Sequence, residues 1–191
     1  MTKTKIALIA LAMCCIALLA AGTVAYFTVE DTAYNVITTA NLDMELVEET
    51  TGGLPFPEEG IGGVMPGDVV DKKVYVQNTD GVDFWARIKL AAKITLADGT
   101  VIEPAMEELS KYFISLDLNT EKWVLQDGWY YCTDIVTAGN ASPELMNTVT
   151  FDKLMPNEYQ NCTVELDVKA QAVQSKHNGA TVLEAAGWPE E

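Results

Sequence analysis

From Asn35 onward, apolar and polar residues alternate with period two in short runs separated by turn residues, the pattern of antiparallel strands with one face in water. Ile88, Leu90, Ala92, Ile94 and Leu96 form one side of such a run, against Arg87, Lys89, Ala91, Lys93 and Thr95 on the other. A second long run sets Cys162, Val164, Leu166, Val168, Ala170 and Ala172 against Thr163, Glu165, Asp167, Lys169 and Gln171. Shorter alternations centre on Leu42, Met44 and Leu46 and on Val74 and Val76. Pro66-Gly67, Asp80-Gly81, Asp98-Gly99 and Asp127-Gly128 supply hairpin turn chemistry, with Trp123-Val124-Leu125 and Trp129-Tyr130-Tyr131 flanking the last of them. The Gly- and Pro-rich stretch from Thr51 to Gly63 reads as an exposed connector.

Helical signals are few. Pro104 opens a short helix through Glu107, Glu108 and Leu109 to about Tyr112, Ser142-Pro143-Glu144 has the composition of a capped first turn, and Thr181 to Ala186 offers a third piece. This last piece is expected to pack Val182, Leu183 and Trp188 back on the domain. Roughly eight strands at regular spacing predict an all-β fold, an antiparallel two-sheet sandwich of jelly-roll type with short helices in the connections.

The N-terminus follows a different pattern. Lys3 and Lys5 precede an unbroken apolar run from Ile6 to Ala21, and Thr23 and Ala25 are the small residues of a cleavage site before Tyr26. That is the arrangement of a secretory signal, which divides the chain into a signal peptide, 1–25, and a single sandwich domain, 26–191. Left uncleaved, the segment from Ile6 to Phe27 just spans a bilayer at about 20 residues per crossing, so contact with a membrane is expected only through the uncleaved signal. Without the signal, 10 Lys and Arg face 28 Asp and Glu, a charge of −18 that repels nucleic acid and anionic lipid and keeps an exported protein soluble.

Cys132 and Cys162 are the two cysteines outside the apolar segment, and export permits one disulfide between them. Equally, Cys162 falls in an apolar register that suits a small buried hydrophobe. The sequence names no catalytic or metal-ligating residue. His177 is the sole histidine and lies in the polar turn Ser175-Lys176-His177-Asn178-Gly179, whereas a zinc peptidase of the H-E-x-x-H kind needs two histidines one helical turn apart. The pairs Glu48-Glu49, Glu58-Glu59 and Glu107-Glu108 offer oxygen ligands for weak calcium binding but lack a calcium-loop spacing, so no cofactor is expected. Trp123, Trp129, Tyr130 and Tyr131 would suit sugar stacking if exposed, and hairpin or core packing otherwise.

Ala21-Gly22-Thr23-Val24-Ala25-Tyr26-Phe27-Thr28, followed by Thr39-Ala40-Asn41-Leu42-Asp43-Met44-Glu45-Leu46, resembles the start of the TasA/camelysin (CalY) family. The resemblance continues through Met65-Pro66-Gly67-Asp68, Val74-Tyr75-Val76-Gln77-Asn78-Thr79 and Phe84-Trp85-Ala86-Arg87-Ile88, and ends near Val168-Lys169-Ala170-Gln171-Ala172-Val173-Gln174. From Glu103 to Pro156 it is one of general character only. It implies a jelly-roll subunit of extracellular biofilm matrix fibres, exported by a Gram-positive bacterium through the dedicated signal peptidase SipW. The implied partners are further copies of itself and other matrix proteins. Some members of the family carry a metallo-endopeptidase label, the enzymatic alternative to a structural role; a monomeric surface module that binds glycans is the third.

A mechanism of assembly follows from physical argument. The stretch 26–39 carries Phe27, Val29, Ala33 and Ile37 at period-two spacing, interrupted by Asp31 and Asn35. With no hairpin partner immediately after it, the segment led by Tyr26, Phe27, Val29 and Ala33 is expected to complete the open sheet edge of a neighbouring subunit. The other outcome is a first strand paired within its own domain.

Overall fold

The computed structural model describes residues 28–32, 35–36, 42–57, 61 and 64–190. The residues around the signal cleavage site, Thr23, Ala25 and Tyr26, lie outside them, as do Phe27 and Ala33. The described chain is antiparallel β in two sheets. The larger sheet runs β2 (Asn35–Val36), β1 (Thr28–Thr32), β11 (Thr163–Gln174), β5 (Phe84–Thr95), β9 (Trp129–Cys132) and β8 (Trp123–Gln126), with β6 (Val101–Ile102) also beside β5. The smaller sheet runs β3 (Leu42–Glu49), β4 (Val69–Gly81), β10 (Met146–Phe151) and β7 (Ile114–Leu118).

The two runs with the strongest alternation are the centre of the larger sheet. β5 and β11 pair without a bulge from Thr95 opposite Thr163 to Phe84 opposite Gln174. Their apolar sets, Ile88, Leu90, Ala92 and Ile94 on one and Val168, Ala170 and Ala172 on the other, meet Leu42, Met44, Val74, Val76, Met146 and Val149 of the smaller sheet in one core. Residues opposite one another in an antiparallel pair share a face, so an unbroken register keeps both sets on the buried side.

The turn at Asp127-Gly128 is the two-residue hairpin expected: both residues have positive φ, 51° and 79°, and Gln126 pairs with Trp129. Such angles match the twist of the flanking strands. Asp80-Gly81 has another role. It ends β4 in one sheet and leads to β5 in the other, so it marks a crossing and not a hairpin. The buried Asn78 holds this crossing, its Nδ2 donating to the carbonyls of Val82 (3.0 Å) and Val136 (3.1 Å).

Among the described residues, helical content is confined to 3-10 turns at Met106–Tyr112, Asn157–Tyr159 and Val182–Glu184. The first and last fall where the sequence puts them. The turn expected at Ser142-Pro143-Glu144 is absent, because this backbone is drawn out along β4: Ser142 N donates to Val76 O and Leu145 N to Val74 O, each at 2.8 Å. Ser142 Oγ also accepts from Val76 N at 3.1 Å, so the would-be cap serves the strand instead. Leu183, expected to pack inward, is exposed.

The leading strand is paired within its own chain. Thr28 to Thr32 lie antiparallel to Lys169–Val173 of β11, with Val29 opposite Ala172, and β2 turns back on β1 through Asp31 opposite Val36. In the isolated chain, this part of the edge, expected to be open, is therefore covered by the chain's own first residues. The physical reason is proximity, since a tethered strand meets its edge at a high effective concentration.

Candidate functional site

Two features adjoin on the larger sheet: the β11 edge and a polar cluster on the sheet's outer face. β1 occupies five positions of the twelve-residue β11. Beyond them the stretch from Thr163 to Val168 has β5 on one side and no strand on the other among the described residues. An unpaired row of backbone groups is a ready template for another strand.

The outer face is not the wet face that its alternation suggests. Around Arg87 the sheet carries Trp85, Trp129, Tyr131 and Val173, and a C-terminal strap lays Val182, Ala185 and Trp188 over them. Gly179 permits the strap to close, since a Cβ there would sit 2.6 Å from Ala185 N. Asn178 fixes its far end, accepting from Ala186 N at 2.9 Å and donating to Ala186 O at 3.1 Å.

Arg87 is 8% exposed. Its guanidinium lies between the rings of Trp129 (4.2 Å) and Trp188 (4.6 Å). It donates from Nε and Nη2 to Gln171 Oε1, at 2.8 and 2.5 Å, and from Nη1 to the Tyr131 hydroxyl at 2.9 Å. No described carboxylate forms an ion pair with it, unlike Lys72, Lys73, Lys93, Lys111 and Lys122. The cation is thus held by ring faces and neutral oxygens, interactions that strengthen out of water.

The aromatic hairpin divides between the two faces. Trp123, Tyr130 and Cys132 enter the core between the sheets, and Trp129 and Tyr131 join Arg87. All four aromatics are buried, so none forms an exposed stacking platform.

Cys132 and Cys162 are both free thiols. Cys132 follows Tyr131, which faces Arg87, and Cys162 precedes Thr163, which faces Thr95. These two positions on β5 lie about 27 Å apart at the rise of a strand, far beyond the span of a disulfide. The disulfide considered from sequence is therefore ruled out by register. Burial pushes the Cys132 thiol up to about 11. A thiol reagent at pH 8 is accordingly expected to leave Cys132 untouched in the folded protein and to modify it after unfolding, as mass spectrometry of the labelled peptides would record. Folding favours the protonated Cys132, so its contribution to stability is intact below pH 9 and is lost as pH rises from 9 toward 11.

His177 is exposed in a turn with φ of 60°. Glu48 pairs with the buried Lys72, which also lies over the Phe56 ring, and Glu108 pairs with Lys111. Among the described residues no three His, Cys, Asp or Glu side chains come together as a metal site. No described helix is long and apolar enough to cross a membrane, and Ile6 to Ala21 lie outside the described residues. Comparison with family models, curated proteins and solved structures finds no match to this chain.

Proposed function

We propose that this chain is a secreted structural subunit of extracellular biofilm matrix fibres, of the TasA/camelysin kind, built on a jelly-roll sandwich and exported with the help of SipW. The observation that carries the reading is the geometry of the leading strand. β1, with only the two-residue β2 beyond it, is an appended strand that covers less than half of β11, so an equivalent strand from a second copy can take its place. Drawn out over its full length, the segment 26–39 has enough residues to run along all of β11, gaining ladder bonds that the folded-back β1 and β2 do not make. Each subunit then donates to the next and accepts from the one before, a head-to-tail contact that grows a filament. The mature charge of −18 fits a matrix in which divalent cations bridge acidic subunits.

Protein beginning at Tyr26 is expected to form filaments above a threshold concentration, followed by light scattering and electron microscopy. A chain lacking its first ten mature residues is expected to stay monomeric. Identical behaviour of the two removes the donor-strand mechanism, and monomers of both at every calcium concentration remove the fibre reading with it.

A further inference from the structure

β5 is longer than the strands that flank it on the side away from β11. Phe84 exchanges backbone bonds with Val136 at 2.9 and 3.1 Å, and the register against β11 is unbroken, so the even-numbered residues of β5 turn their N–H and C=O groups away from β11. Ile88 is paired there with Tyr130 of β9, and Ile94 with Ile102 of β6. Leu90 and Ala92, between them, face no strand among the described residues, although they are only 4% and 5% exposed. A gap one strand wide therefore interrupts the larger sheet, and the four backbone groups in its floor call for water or another chain.

The gap is a cleft of about 430 Å³, within the range of about 300–1,000 Å³ usual for ligand sites. Gly128 and Tyr130 stand at one end of it and the segment from Glu103 to Glu107 at the other. Tyr130 is 5% exposed, and its hydroxyl has no hydrogen-bond partner among the described residues. Burial, and after it the charge of Glu107, push this phenol above its ordinary value, so it faces a ligand as a donor.

The chemistry of the cleft names its occupant. Leu90 and Ala92 present donors and acceptors at ladder spacing, which an extended peptide matches. A residue opposite either of them shares their face, where Met106 packs against the core, so small apolar side chains fit there. A residue opposite Ala91 lies on the outer face. Asp167 is opposite Ala91 on β11, and alanine leaves a long side chain room to reach across to it. The charges around that point favour a cation. Asp167, Glu103 and Glu107 all line the cleft, Lys93 is already paired with Glu165, and the Lys89 ammonium lies 5.7 Å from the Trp129 ring. We propose that this gap receives a short extended peptide from another protein, with Lys or Arg opposite Ala91 and small apolar residues opposite Leu90 and Ala92. The chain's own leading segment does not fit that description, since 26–39 holds Glu30 and Asp31 and no Lys or Arg. The inference stands apart from the fibre reading, which uses the β11 edge.

Nuclear magnetic resonance of the mature chain, titrated to millimolar concentration with the capped peptide acetyl-Ala-Val-Lys-Val-Ala-amide, tests it. The Leu90 and Ala92 amide protons are expected to move downfield and to exchange more slowly with solvent. A peptide with Glu in place of the Lys should bind about tenfold more weakly, because attraction by the carboxylates becomes repulsion. N-methylation of both valines, which removes the donors of the ladder, should abolish the shifts. Asp167→Lys, a change at an exposed position, should reverse the preference between the two peptides. Leu90 and Ala92 amides that ignore the basic peptide, shifts confined to Thr163–Val168, binding that survives N-methylation, or a preference unmoved by Asp167→Lys would overturn the proposal. A peptide copying 26–39 that binds at Leu90 and Ala92 more tightly than the basic one overturns it too, and moves the fibre contact into the gap. Filaments scored in the same samples keep the two ideas apart: peptide binding without filaments sinks assembly alone, and filaments without peptide binding sink the receptor alone.

Discussion

Arg87→Met is expected to lower the unfolding free energy by about 3 kcal/mol, measured by urea denaturation, through the loss of charged hydrogen bonds and ring contacts in a buried site. Methionine keeps the apolar stem and removes the guanidinium, so Gln171 Oε1 loses both donors that it receives from Arg87 and the Tyr131 hydroxyl loses its bond. The rings of Trp129 and Trp188, which lie on the guanidinium, lose their shared partner, and tryptophan fluorescence is expected to report a loosened strap before the main transition. The opposing effect is desolvation: a buried cation with no described carboxylate paired to it is expensive, and apolar replacements of buried charges have stabilised other proteins. A variant as stable as the parent, or more so, would mean that desolvation outweighs the ring and hydrogen-bond contacts.

Trp123→Ala is expected to cost more, about 4 kcal/mol, the range for emptying a buried tryptophan site. Trp123 is 1% exposed, fills the core between the sheets and donates from Nε1 to Pro143 O at 3.1 Å. It thereby ties the β8–β9 hairpin to the extended segment beside β4. For a domain holding only about 5–15 kcal/mol in total, this loss should be visible as a large drop in the thermal midpoint. Trp123→Phe, which refills most of the space but leaves the Pro143 carbonyl without its donor, should recover much of it. Equal losses from both would place the effect in the hydrogen bond and not in the cavity.

The legible and illegible parts of this fold differ in how far apart their determinants lie. β5 and β11 can be read from sequence because a period of two over many residues leaves one arrangement that buries a single face. The β8–β9 hairpin is readable for a local reason, Asp127-Gly128 between two aromatic runs. Arg87 is misread. In its own strand it shares a face with Lys89 and Lys93, a composition that signals water, and what buries it is a strap that begins after Gln174. One clue is present: Trp85, Trp129 and Tyr131 all fall on the nominally wet face, more aromatic surface than a solvated face would carry. Ser142-Pro143-Glu144 fails for the converse reason, a good local cap signal overridden by backbone bonds to a distant strand. The leading strand divides the same way: its capacity to pair is visible in its alternation, while its partner, β11, is fixed only by the folded whole.

The neighbours β1 and β11 are the first and last strands of the described chain. A ribosome adding about 5–20 residues per second delivers them many seconds apart. Throughout that interval the opening residues emerge as a sticky, strand-competent tail with no cognate edge in their own molecule. On the proposed assembly, synthesis order leaves a window in which the edge of a finished copy competes with the chain's own unfinished end for this tail, and slowing translation would widen it.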